Sequence, residues 1–299
     1  MKAAVLGLGT MGAPMAANLL SKGFEVAVYN RSTDKTVPLV EQGATAVHLP
    51  REAAAQSDVV ITMVSDDSSI EAIYYGEDGV LAGVRSGHIV IDCSTISPSL
   101  VQQLAAACAE RGAQFLDAPV TGSKPAAVDG TLVFMVGGEE TALQQAMPVL
   151  EAMGRMIVHM GPNGSGSITK LAHNTIVGIN NAALAEGFAM VSKAGVNPEA
   201  FLQVVRNGSA GSKAAELKGE KIIAGNFDNQ FSLQLMLKDL KLASVLTDTM
   251  QSPTPMLEVA KSLFQMGQTS GFGEEDLCSL VKIYEQWIGH PIGHSKNNE

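Results

Sequence analysis

One stretch of the chain combines residue types that can move a proton at a carbonyl group. Lys170 and Asn174 lie four positions apart. In an α-helix this spacing places both side chains on one face. The apolar residues around Lys170 predict a desolvated ammonium with a pKa closer to neutrality, as a general acid or base for carbonyl and alcohol interconversion requires. From the spacing alone, an exposed surface lysine is the more common arrangement.

Two more side chains compete for a role in the same chemistry. His173 lies three residues after Lys170, and a histidine of the core or the surface is the alternative. Lys238 lies in the apolar run Leu235-Met-Leu-Lys-Asp-Leu240. Its position fits a lysine that faces a cleft and also fits a mixture of surface charges.

A glycine-rich turn near the N-terminus is the strongest ligand-binding pattern in the chain. The apolar residues 3–6 lead into Gly7-Leu8-Gly9-Thr10-Met11-Gly12, and a helical pattern follows to residue 20. Between a strand and a helix, G-x-G-x-x-G is typical of dinucleotide binding. Gly7 permits a tight turn, Gly9 permits a pyrophosphate to approach, and Gly12 permits close helix packing. A glycine-rich turn without a ligand is the alternative.

The residues after the second predicted strand, at 24–29, indicate which dinucleotide binds. They are Asn30, Arg31 and Ser32. In dinucleotide-binding folds an acidic residue here hydrogen-bonds the 2′-hydroxyl of NAD, whereas an arginine accommodates the 2′-phosphate of NADP. A guanidinium binds that phosphate bidentately. The sequence therefore favours NADP(H) over NAD(H), with a solvated surface arginine as the alternative.

The elements that must position these residues alternate between strand and helix up to residue 162. Further strand patterns cover residues 44–48, 58–64, 88–92, 114–117, 130–138 and 156–160. This alternation predicts an α/β fold with a Rossmann-type, doubly wound sheet in residues 1–162. Residues 163–299 have helical patterns only, beginning with a long helix at about 165–194, which predicts an all-α second domain. Its small and apolar residues on several faces also indicate a subunit interface.

Turns after the predicted strands supply further candidate ligands, because the crevice of a parallel sheet lies at the strand ends. They are Val64, Ser65 and Asp66 after one strand, and Ser94 and Thr95 after the next. Capping and turn chemistry is the alternative for Ser94 and Thr95. The loop at 117–125 offers hydroxyl and backbone N–H groups that suit a carboxylate.

The composition limits the classes of partner. A formal net charge of −10 argues against general binding of nucleic acid or anionic membranes, which require basic surface. The three cysteines are widely spaced without a C-x-x-C pattern, so we expect neither a disulfide framework nor a metal site. No apolar run reaches the ~18 residues of a membrane span. The chain opens on a strand pattern without a targeting leader, which favours a cytoplasmic location.

Four signatures together resemble the β-hydroxyacid dehydrogenases, which include 3-hydroxyisobutyrate dehydrogenase, tartronate semialdehyde reductase and the glyoxylate/succinic semialdehyde reductases. They are residues 7–12 with the following Ala-Pro-Met-Ala, Asp117-Ala-Pro-Val-Thr-Gly122, Gly164-x-Gly166-x-x-x-Lys170-x-x-x-Asn174, and Lys238-Asp-Leu240. The resemblance extends from residue 1 to about 288. With this resemblance, the sequence favours the interpretation of Lys170 as a catalytic lysine over that of an exposed surface lysine.

The resemblance implies a role for each matching residue. Lys170 is the implied acid or base, and Asn174 helps to position the substrate. Thr121, Gly122 and Ser123 bind the substrate carboxylate, Thr95 lies by the nicotinamide, and Lys238 lies near the cofactor and the reacting centre. The implied reaction is hydride transfer between NADP(H) and a small hydroxyacid, semialdehyde or 2-oxo acid. The implied architecture is a Rossmann-type domain and an all-α domain joined by a long helix, assembled as a homodimer or homotetramer.

Some residues depart from the commonest family pattern. Many members have Ser-Gly-Gly after Pro-Val, whereas this chain has Thr121-Gly-Ser-Lys124, as in the glyoxylate/succinic semialdehyde reductase branch. The extra methyl group of Thr121 is expected to reshape the carboxylate pocket. The run Lys170-Leu-Ala-His-Asn174 is also similar to a motif of 6-phosphogluconate dehydrogenase, whose usual long form exceeds this chain.

Three alternatives to a hydroxyacid dehydrogenase remain open to the sequence. A phosphosugar-acid enzyme needs additional basic residues, for which Arg206 and Lys213 are candidates. An imine reductase usually lacks the lysine found here at position 170. A non-catalytic NADP-binding scaffold has no need for an acid or base pair on one helix face.

Overall fold

In a computed structural model, residues 1–293 of the chain are described, and residues 294–299 lie outside that range. The chain divides into two compact units, Met1–Lys170 and Leu171–Glu299. The predicted fold class, α/β followed by helices, is confirmed. The domain boundary predicted after residue 162 lies a few residues before this division and stays a prediction.

Strands and helices alternate in the first unit. Its strands are β1 (Lys2–Leu6), β2 (Glu25–Tyr29), β3 (Thr45–Ala46), β4 (Val59–Thr62), β5 (Ile89–Asp92), β6 (Gln114–Asp117), β7 (Val120–Thr121), β8 (Leu132–Gly137) and β9 (Gly154–Gly161). Its helices are α1 (Gly12–Ser21), α2 (Val37–Val40), α3 (Pro50–Ala55), α4 (Asp67–Tyr74), α5 (Val80–Gly83), α6 (Pro98–Ala109), α7 (Ser123–Val128), α8 (Glu140–Met153) and the start of α9 (Ser165–Lys193). A 3-10 helix, Thr33–Thr36, precedes α2.

The strands form one nine-stranded sheet with the order β3-β2-β1-β4-β5-β6-β8-β7, and β9 pairs with β8. All pairs from β3 to β6 are parallel. This is the order of a dinucleotide-binding sheet, which reverses between β1 and β4. The turns after β1 and β4 therefore lie at the crevice where such folds bind ligands. The β8 strand departs from the pattern, because it is antiparallel to β6 and β7.

Two apolar clusters cover the two faces of this sheet. Because side chains alternate along a strand, Ala3 and Val5 of β1 belong to one cluster, and Ala4 and Leu6 belong to the other. Helices α1 and α8 pack in the first cluster, and α3 and α6 pack in the second. A strand buried on both faces requires a continuous apolar sequence, which is how β1 was predicted.

The second unit is helical. The end of α9 is followed by α10 (Pro198–Asn207), α11 (Lys213–Ile223), α12 (Leu233–Thr249), α13 (Pro255–Thr269), a 3-10 helix (Leu277–Leu280) and α14 (Val281–Ile288). Side chains of Asn197, Ser212 and Ser232 cap α10, α11 and α12 by accepting backbone N–H groups. Two apolar clusters form the core of this unit. No helix within residues 1–293 is long and apolar enough to cross a membrane.

Two predicted segments differ from the structure in their local form. The loop predicted at 117–125 includes β7 and the start of α7. Gly122, between them, has a φ of 132°, and Ser123, the first residue of α7, has a φ of 57°. A helical pattern at residues 274–286 predicts a helix over that range, but the α-helix begins later. The Asp276 side chain accepts the Cys278 N–H and caps the 3-10 helix there, so the α-helix starts only at Val281.

Candidate active site

Close contacts within the protein shape the glycine turn after β1. Gly7 has a positive φ, and a Cβ added to it would lie 2.3 Å from the Met63 carbonyl oxygen. A Cβ at Gly12 would lie 1.9 Å from the Gly7 carbonyl oxygen, so a larger residue would push α1 away from the turn. Nothing lies within 4 Å of a Cβ added at Gly9. Packing therefore requires glycine at 7 and 12, while Gly9 faces open space.

The N-terminus of α1 is suited to an anion. Its first turn contains no acidic residue, and no side chain caps it. The first N–H groups of a helix lack acceptors within the helix and lie at the positive end of its dipole. The turn that includes Leu8, Thr10 and Met11 thus fits a dinucleotide pyrophosphate. The contacts of its individual residues with a cofactor stay predictions.

Asn30 and Arg31, at the end of β2, have different surroundings. The Leu8 N–H donates to Asn30 Oδ1 at 2.9 Å, and Asn30 Nδ2 donates to the Ser32 carbonyl oxygen at 3.0 Å. Asn30 therefore fastens the glycine turn to the end of β2. The Arg31 side chain is exposed and forms no hydrogen bond or ion pair with any of residues 1–293. Its guanidinium is available to an anionic ligand.

The turn after β4 is built around a helix cap. Asp66 Oδ1 accepts the Ser69 N–H and the Ser68 hydroxyl, each at 2.8 Å, and Oδ2 accepts the Ser65 hydroxyl at 2.8 Å. Partial burial acts to raise the pKa of Asp66, but these hydrogen bonds outweigh it and hold the pKa well below its usual range. Asp66 thus fixes the turn that begins at Val64 as the cap of α4. A cofactor contact of residues 64–66 stays a prediction.

A buried polar network connects the ends of β4 and β5, and sequence reasoning missed it. Asp92 Oδ1 accepts the Thr62 hydroxyl at 2.7 Å and the Ser94 hydroxyl at 2.8 Å. Ser94 Oγ in turn accepts the Val64 N–H at 2.9 Å. Tyr74 OH lies 3.0 Å from Thr62 Oγ1, whose proton is already donated, so Tyr74 is the donor. The Ser94 hydroxyl therefore holds the start of the turn after β4 in place.

Asp92 is buried, and its Oδ2 has no hydrogen-bond partner among residues 1–293. Burial raises the pKa of Asp92 to about 6, against the hydrogen bonds from Thr62 and Ser94 and with a further contribution from the Asp117 charge. The only signal in the sequence is an acidic residue that closes the apolar strand Ile89-Val-Ile-Asp92. Thr95 follows in the same turn and is half-buried.

The loop after β6 has a well-defined backbone at the predicted carboxylate-binding residues. Thr121 ends β7, which pairs with β8. A Cβ at Gly122 would lie 2.4 Å from the Ala126 Cβ, and the positive φ of Ser123 is uncommon for a residue other than glycine. The three residues therefore form one tight turn. Their binding of a carboxylate stays a prediction.

The fold brings Lys170 to this loop. Its side chain is 8% exposed, and its Nζ donates to the Val120 carbonyl oxygen at 2.8 Å. Val120 immediately precedes Thr121, so the ammonium lies beside the predicted carboxylate-binding turn. Lys170 is therefore not the exposed surface lysine that the spacing left open as the alternative.

In the second unit, Asn174 and Lys238 both contact Asp239. Asn174 is buried, and its Nδ2 donates to Asp239 Oδ2 at 2.6 Å. Lys238 Nζ lies 3.1 Å from Asp239 Oδ1. His173 Nδ1 lies 2.9 Å from Asn174 Oδ1, which orients the amide from its other side. The sequence assigned no role to Asp239, because its burial beside these residues depends on helix packing.

Two cations considered for a phosphosugar substrate have carboxylate partners. Arg206 donates to Glu220 Oε1 at 2.6 Å, and Lys213 forms an ion pair with Glu216. Both pairs involve α11 and weaken the phosphosugar alternative. Within residues 1–293, no group of three or more His, Cys, Asp or Glu side chains is arranged to hold a metal ion.

Comparison with known proteins relates both parts of the chain to nicotinamide-dependent enzymes. A family model described as the NAD binding domain of 6-phosphogluconate dehydrogenase matches residues 2–161. A second model, described as NAD-binding of NADP-dependent 3-hydroxyisobutyrate dehydrogenase, matches residues 164–284.

Full-length relatives agree with these matches. The 2-(hydroxymethyl)glutarate dehydrogenase of Eubacterium barkeri is 36% identical over 96% of this chain and 96% of its own length. The NAD-dependent L-serine dehydrogenase of Pseudomonas aeruginosa is 37% identical over 96% of this chain and 98% of its own. A structure of Mycobacterium tuberculosis 3-hydroxyisobutyrate dehydrogenase with L-serine is 30% identical, with a TM-score of 0.85 over 94% of this chain and 98% of that one. The chain belongs to the β-hydroxyacid dehydrogenase family, as its four signatures predict, and is an NAD(P)-dependent oxidoreductase.

Proposed function

We propose that the protein reduces small aldehyde or keto carboxylates with NADPH and oxidises the corresponding hydroxyacids in the reverse direction. The observation that carries this proposal is the buried Lys170 ammonium, 2.8 Å from the Val120 carbonyl oxygen and beside the turn at 121–123. The substrates that suit such a turn include glyoxylate, succinic semialdehyde, tartronate semialdehyde and methylmalonate semialdehyde. Relatives named for L-serine and 2-(hydroxymethyl)glutarate extend this set to other hydroxyacids with a carboxylate.

In the proposed mechanism, Lys170 moves the proton. When bound, the nicotinamide exchanges a hydride with the carbonyl carbon. Lys170 donates a proton to the carbonyl oxygen during reduction and accepts it during oxidation. Its hydrogen bond to the Val120 carbonyl oxygen supports this role, because it holds the ammonium beside the turn at 121–123.

The other proposed site residues orient the two reactants. Thr121, Gly122 and Ser123 bind the substrate carboxylate through hydroxyl and N–H groups. Asn174 positions the substrate, which its buried hydrogen bond to Asp239 supports. We also assign Thr95 and Lys238 to the nicotinamide end of the cofactor.

The proposed preference for NADPH rests on Arg31. The names of relatives include both NAD-dependent and NADP-dependent enzymes, so membership of the family is compatible with either. An exposed guanidinium without a protein partner, placed just after β2, supports recognition of the 2′-phosphate. Residues 7–12, 30–32 and 64–66 complete the proposed cofactor site.

We also propose that the protein is a homodimer or homotetramer. Ile176 and Met190, both on α9, are 60% and 69% exposed. Large exposed apolar side chains on one long helix support contact with another copy of the chain.

Replacement of Lys170 tests the catalytic proposal. Lys170→Met should lower kcat by about 10²- to 10⁴-fold, the usual contribution of a general acid or base. The Kd for NADPH, measured by nicotinamide fluorescence, should not change. Lys193→Met is the matched control, because Lys193 lies on the same helix and donates to the Ile288 carbonyl oxygen at 2.7 Å. Wild-type turnover in Lys170→Met would contradict the mechanism.

Initial rates with the four aldehyde and keto acids named above, using NADPH and NADH in parallel, identify the substrate. Tight NADPH binding without turnover on any of them, or on the hydroxyacids in reverse, would instead support a non-catalytic scaffold.

Replacement of Arg31 tests the cofactor preference. Arg31→Ala should raise the KM for NADPH at least about tenfold, the value of one charge-assisted phosphate contact, and should leave the KM for NADH nearly unchanged. Lys22→Ala removes the same charge at the C-terminal end of α1, at the opposite end of that helix from the glycine turn, and serves as the control. A wild-type preference for NADH would overturn the proposal.

A further inference from the structure

The Gly164-x-Gly166 part of the lysine signature has no role in the chemistry described so far, and the structure shows what surrounds it. Asp117, at the end of β6, is fully buried. Its Oδ1 accepts the Gly164 N–H at 2.8 Å, and its Oδ2 accepts the Ser167 N–H at 2.9 Å. Both carboxylate oxygens are therefore used by the first turn of α9.

The packing around this carboxylate leaves no space for larger residues. A Cβ at Gly137 would lie 2.5 Å from Asp117 Oδ1. A Cβ at Gly166 would lie 2.4 Å from the Asp117 carbonyl oxygen. The two glycines allow the strand end and the helix start to approach closely enough for both hydrogen bonds. The position of the first turn of α9 relative to the end of β6 is thus set by direct contacts with the backbone.

A second tie joins the same two segments. Asn163 Nδ2 donates to the Phe115 carbonyl oxygen at 2.8 Å, two residues before Asp117. Three residues after Asp117, the Val120 carbonyl oxygen accepts Lys170 Nζ. The short stretch from β6 to β7 therefore holds α9 at its start and at Lys170, one helical turn further on.

The groups that stabilise the charge on Asp117 are all neutral donors, namely backbone N–H groups and the Asn163 side-chain amide. Burial raises the pKa of Asp117, while the Gly164 and Ser167 N–H groups act to lower it. Asp117 forms no ion pair with any of residues 1–293. Its partners at the start of α9 are N–H groups at the positive end of the helix dipole, which attract a carboxylate.

We propose that Asp117 is a positioning residue, which fixes the first turn of α9 and thereby holds the Lys170 ammonium beside the turn at 121–123. The proposal rests on the catalytic role proposed for Lys170. Asp117 itself touches neither the substrate nor the cofactor in this arrangement. It acts through Gly164 and Ser167, whose N–H groups set the start of the helix.

Asp117→Asn is the most direct test, because it keeps the shape of the side chain and replaces one acceptor with a donor. The amide cannot accept both N–H groups, so amide hydrogen exchange in the peptide that includes Gly164 and Ser167 should become about tenfold faster or more. The kcat should fall about 10²-fold, as a small misplacement of a reacting group can cause, while the Kd for NADPH stays unchanged. Ser212→Ala, which removes the cap of α11, should change neither measurement.

A double-mutant cycle separates positioning from a general effect on stability. In the Lys170→Met background, Asp117→Asn should cause no further loss of kcat, because the group it positions is absent. An equal loss in both backgrounds, or unchanged exchange at Gly164 and Ser167, would overturn the proposal. If Lys170→Met keeps wild-type turnover while exchange still responds to Asp117→Asn, then the catalytic role of Lys170 fails and the helix attachment stands.

A second variant covers the case in which Asp117→Asn does not fold. Gly137→Ala keeps the carboxylate but displaces it, since the new Cβ would lie 2.5 Å from Oδ1. It should give the same faster exchange and the same selective loss of kcat. If neither variant binds NADPH or unfolds cooperatively, Asp117 serves the stability of its unit and the proposal is overturned.

Discussion

The two units stabilise their buried carboxylates in different ways. In the second unit, Asp276 is fully buried. Its Oδ2 accepts hydrogen bonds from Lys218 Nζ at 2.8 Å and from the Gln230 N–H at 3.1 Å. In the first unit, Asp92 and Asp117 are also buried, but neither forms an ion pair with any of residues 1–293. Their partners there are neutral donors, namely hydroxyl groups, backbone N–H groups and the Asn163 side-chain amide.

This difference in partners decides which protonation state the buried carboxyl groups of each unit favour. Burial acts to raise the pKa of Asp276, but Lys218 outweighs it and holds the pKa below the ordinary 3.8. Burial raises the pKa of Asp117 and raises that of Asp92 to about 6. A cation compensates the desolvation of a carboxylate, whereas a few neutral donors do so incompletely. The ionised form of Asp276 therefore stabilises the second unit, whereas ionisation of Asp92 and Asp117 destabilises the first unit.

The largest expected effect comes from removing the carboxylate charge in the second unit. Asp276→Asn leaves the Lys218 ammonium, 8% exposed, without its counter-charge. Loss of one partner of a buried ion pair costs about 3–5 kcal/mol, which urea unfolding at pH 7 would measure. Lys213→Ala, which removes an exposed pair with Glu216, should cost less than about 1 kcal/mol. Equal losses in both variants would abolish the contrast between the units.

Asp92, whose pKa is raised rather than lowered, should make the folded protein less stable as the pH rises. Its pKa is about 6 in the folded chain and 3.8 as its ordinary value. Between these pH values the folded chain keeps a proton that the unfolded chain has lost. The free energy of unfolding should therefore fall by an amount on the order of 3 kcal/mol as the pH rises from about 4 to about 6.

Asp92→Asn, which cannot ionise, should lack this slope. Unfolding free energies of both proteins across the same pH range would measure the difference. If their pH profiles run parallel, the buried charge in the first unit has no cost, and the contrast with Asp276 is lost.

The smallest expected effect concerns a buried base in the first unit. His88 is 4% exposed, and neither ring nitrogen has a partner among residues 1–293. Burial, together with the Arg85 charge, lowers the pKa of His88 from 6.5. Below pH 6.5 the unfolded chain binds a proton that the folded chain resists, so stability should fall as the pH drops.

His88→Phe should reduce this loss, which thermal unfolding at pH 7.5 and 5.5 would detect. Because Asp92 acts in the other direction over part of the same range, the double variant His88→Phe/Asp92→Asn should be the least sensitive to pH. A steeper dependence in the double variant would contradict both assignments.

The predictability of the site differs between neighbouring strand ends. The glycine turn after β1 could be predicted because G-x-G-x-x-G has a fixed spacing between a strand and a helix. The contact that requires Gly12 is with nearby Gly7, whereas the one that requires Gly7 is with Met63 and could not be predicted. Lys170 could be singled out by its apolar neighbours, but not its acceptor, since Val120 is fifty residues away. Local spacing also predicts helix caps at Ser97 and Asn197, because each precedes a proline at the first helical position, and each accepts the N–H of the residue three positions later. Asp66, also a cap, was expected only as a turn residue.

The sequence alone determined the α/β class, the glycine turn, the long helix and the family, since these depend on local periodicity and on motifs with fixed spacing. Only the tertiary structure decided the environment of the carboxylates. Asp92 and Asp276 lie outside the four signatures, and Asp117 and Asp239 lie within two of them without an assigned role. Their burial and their partners come from strand pairing and helix packing between distant segments. Each of the four carboxylates has a hydrogen-bond partner at least thirty residues away in the chain, and no local pattern encodes such a partner.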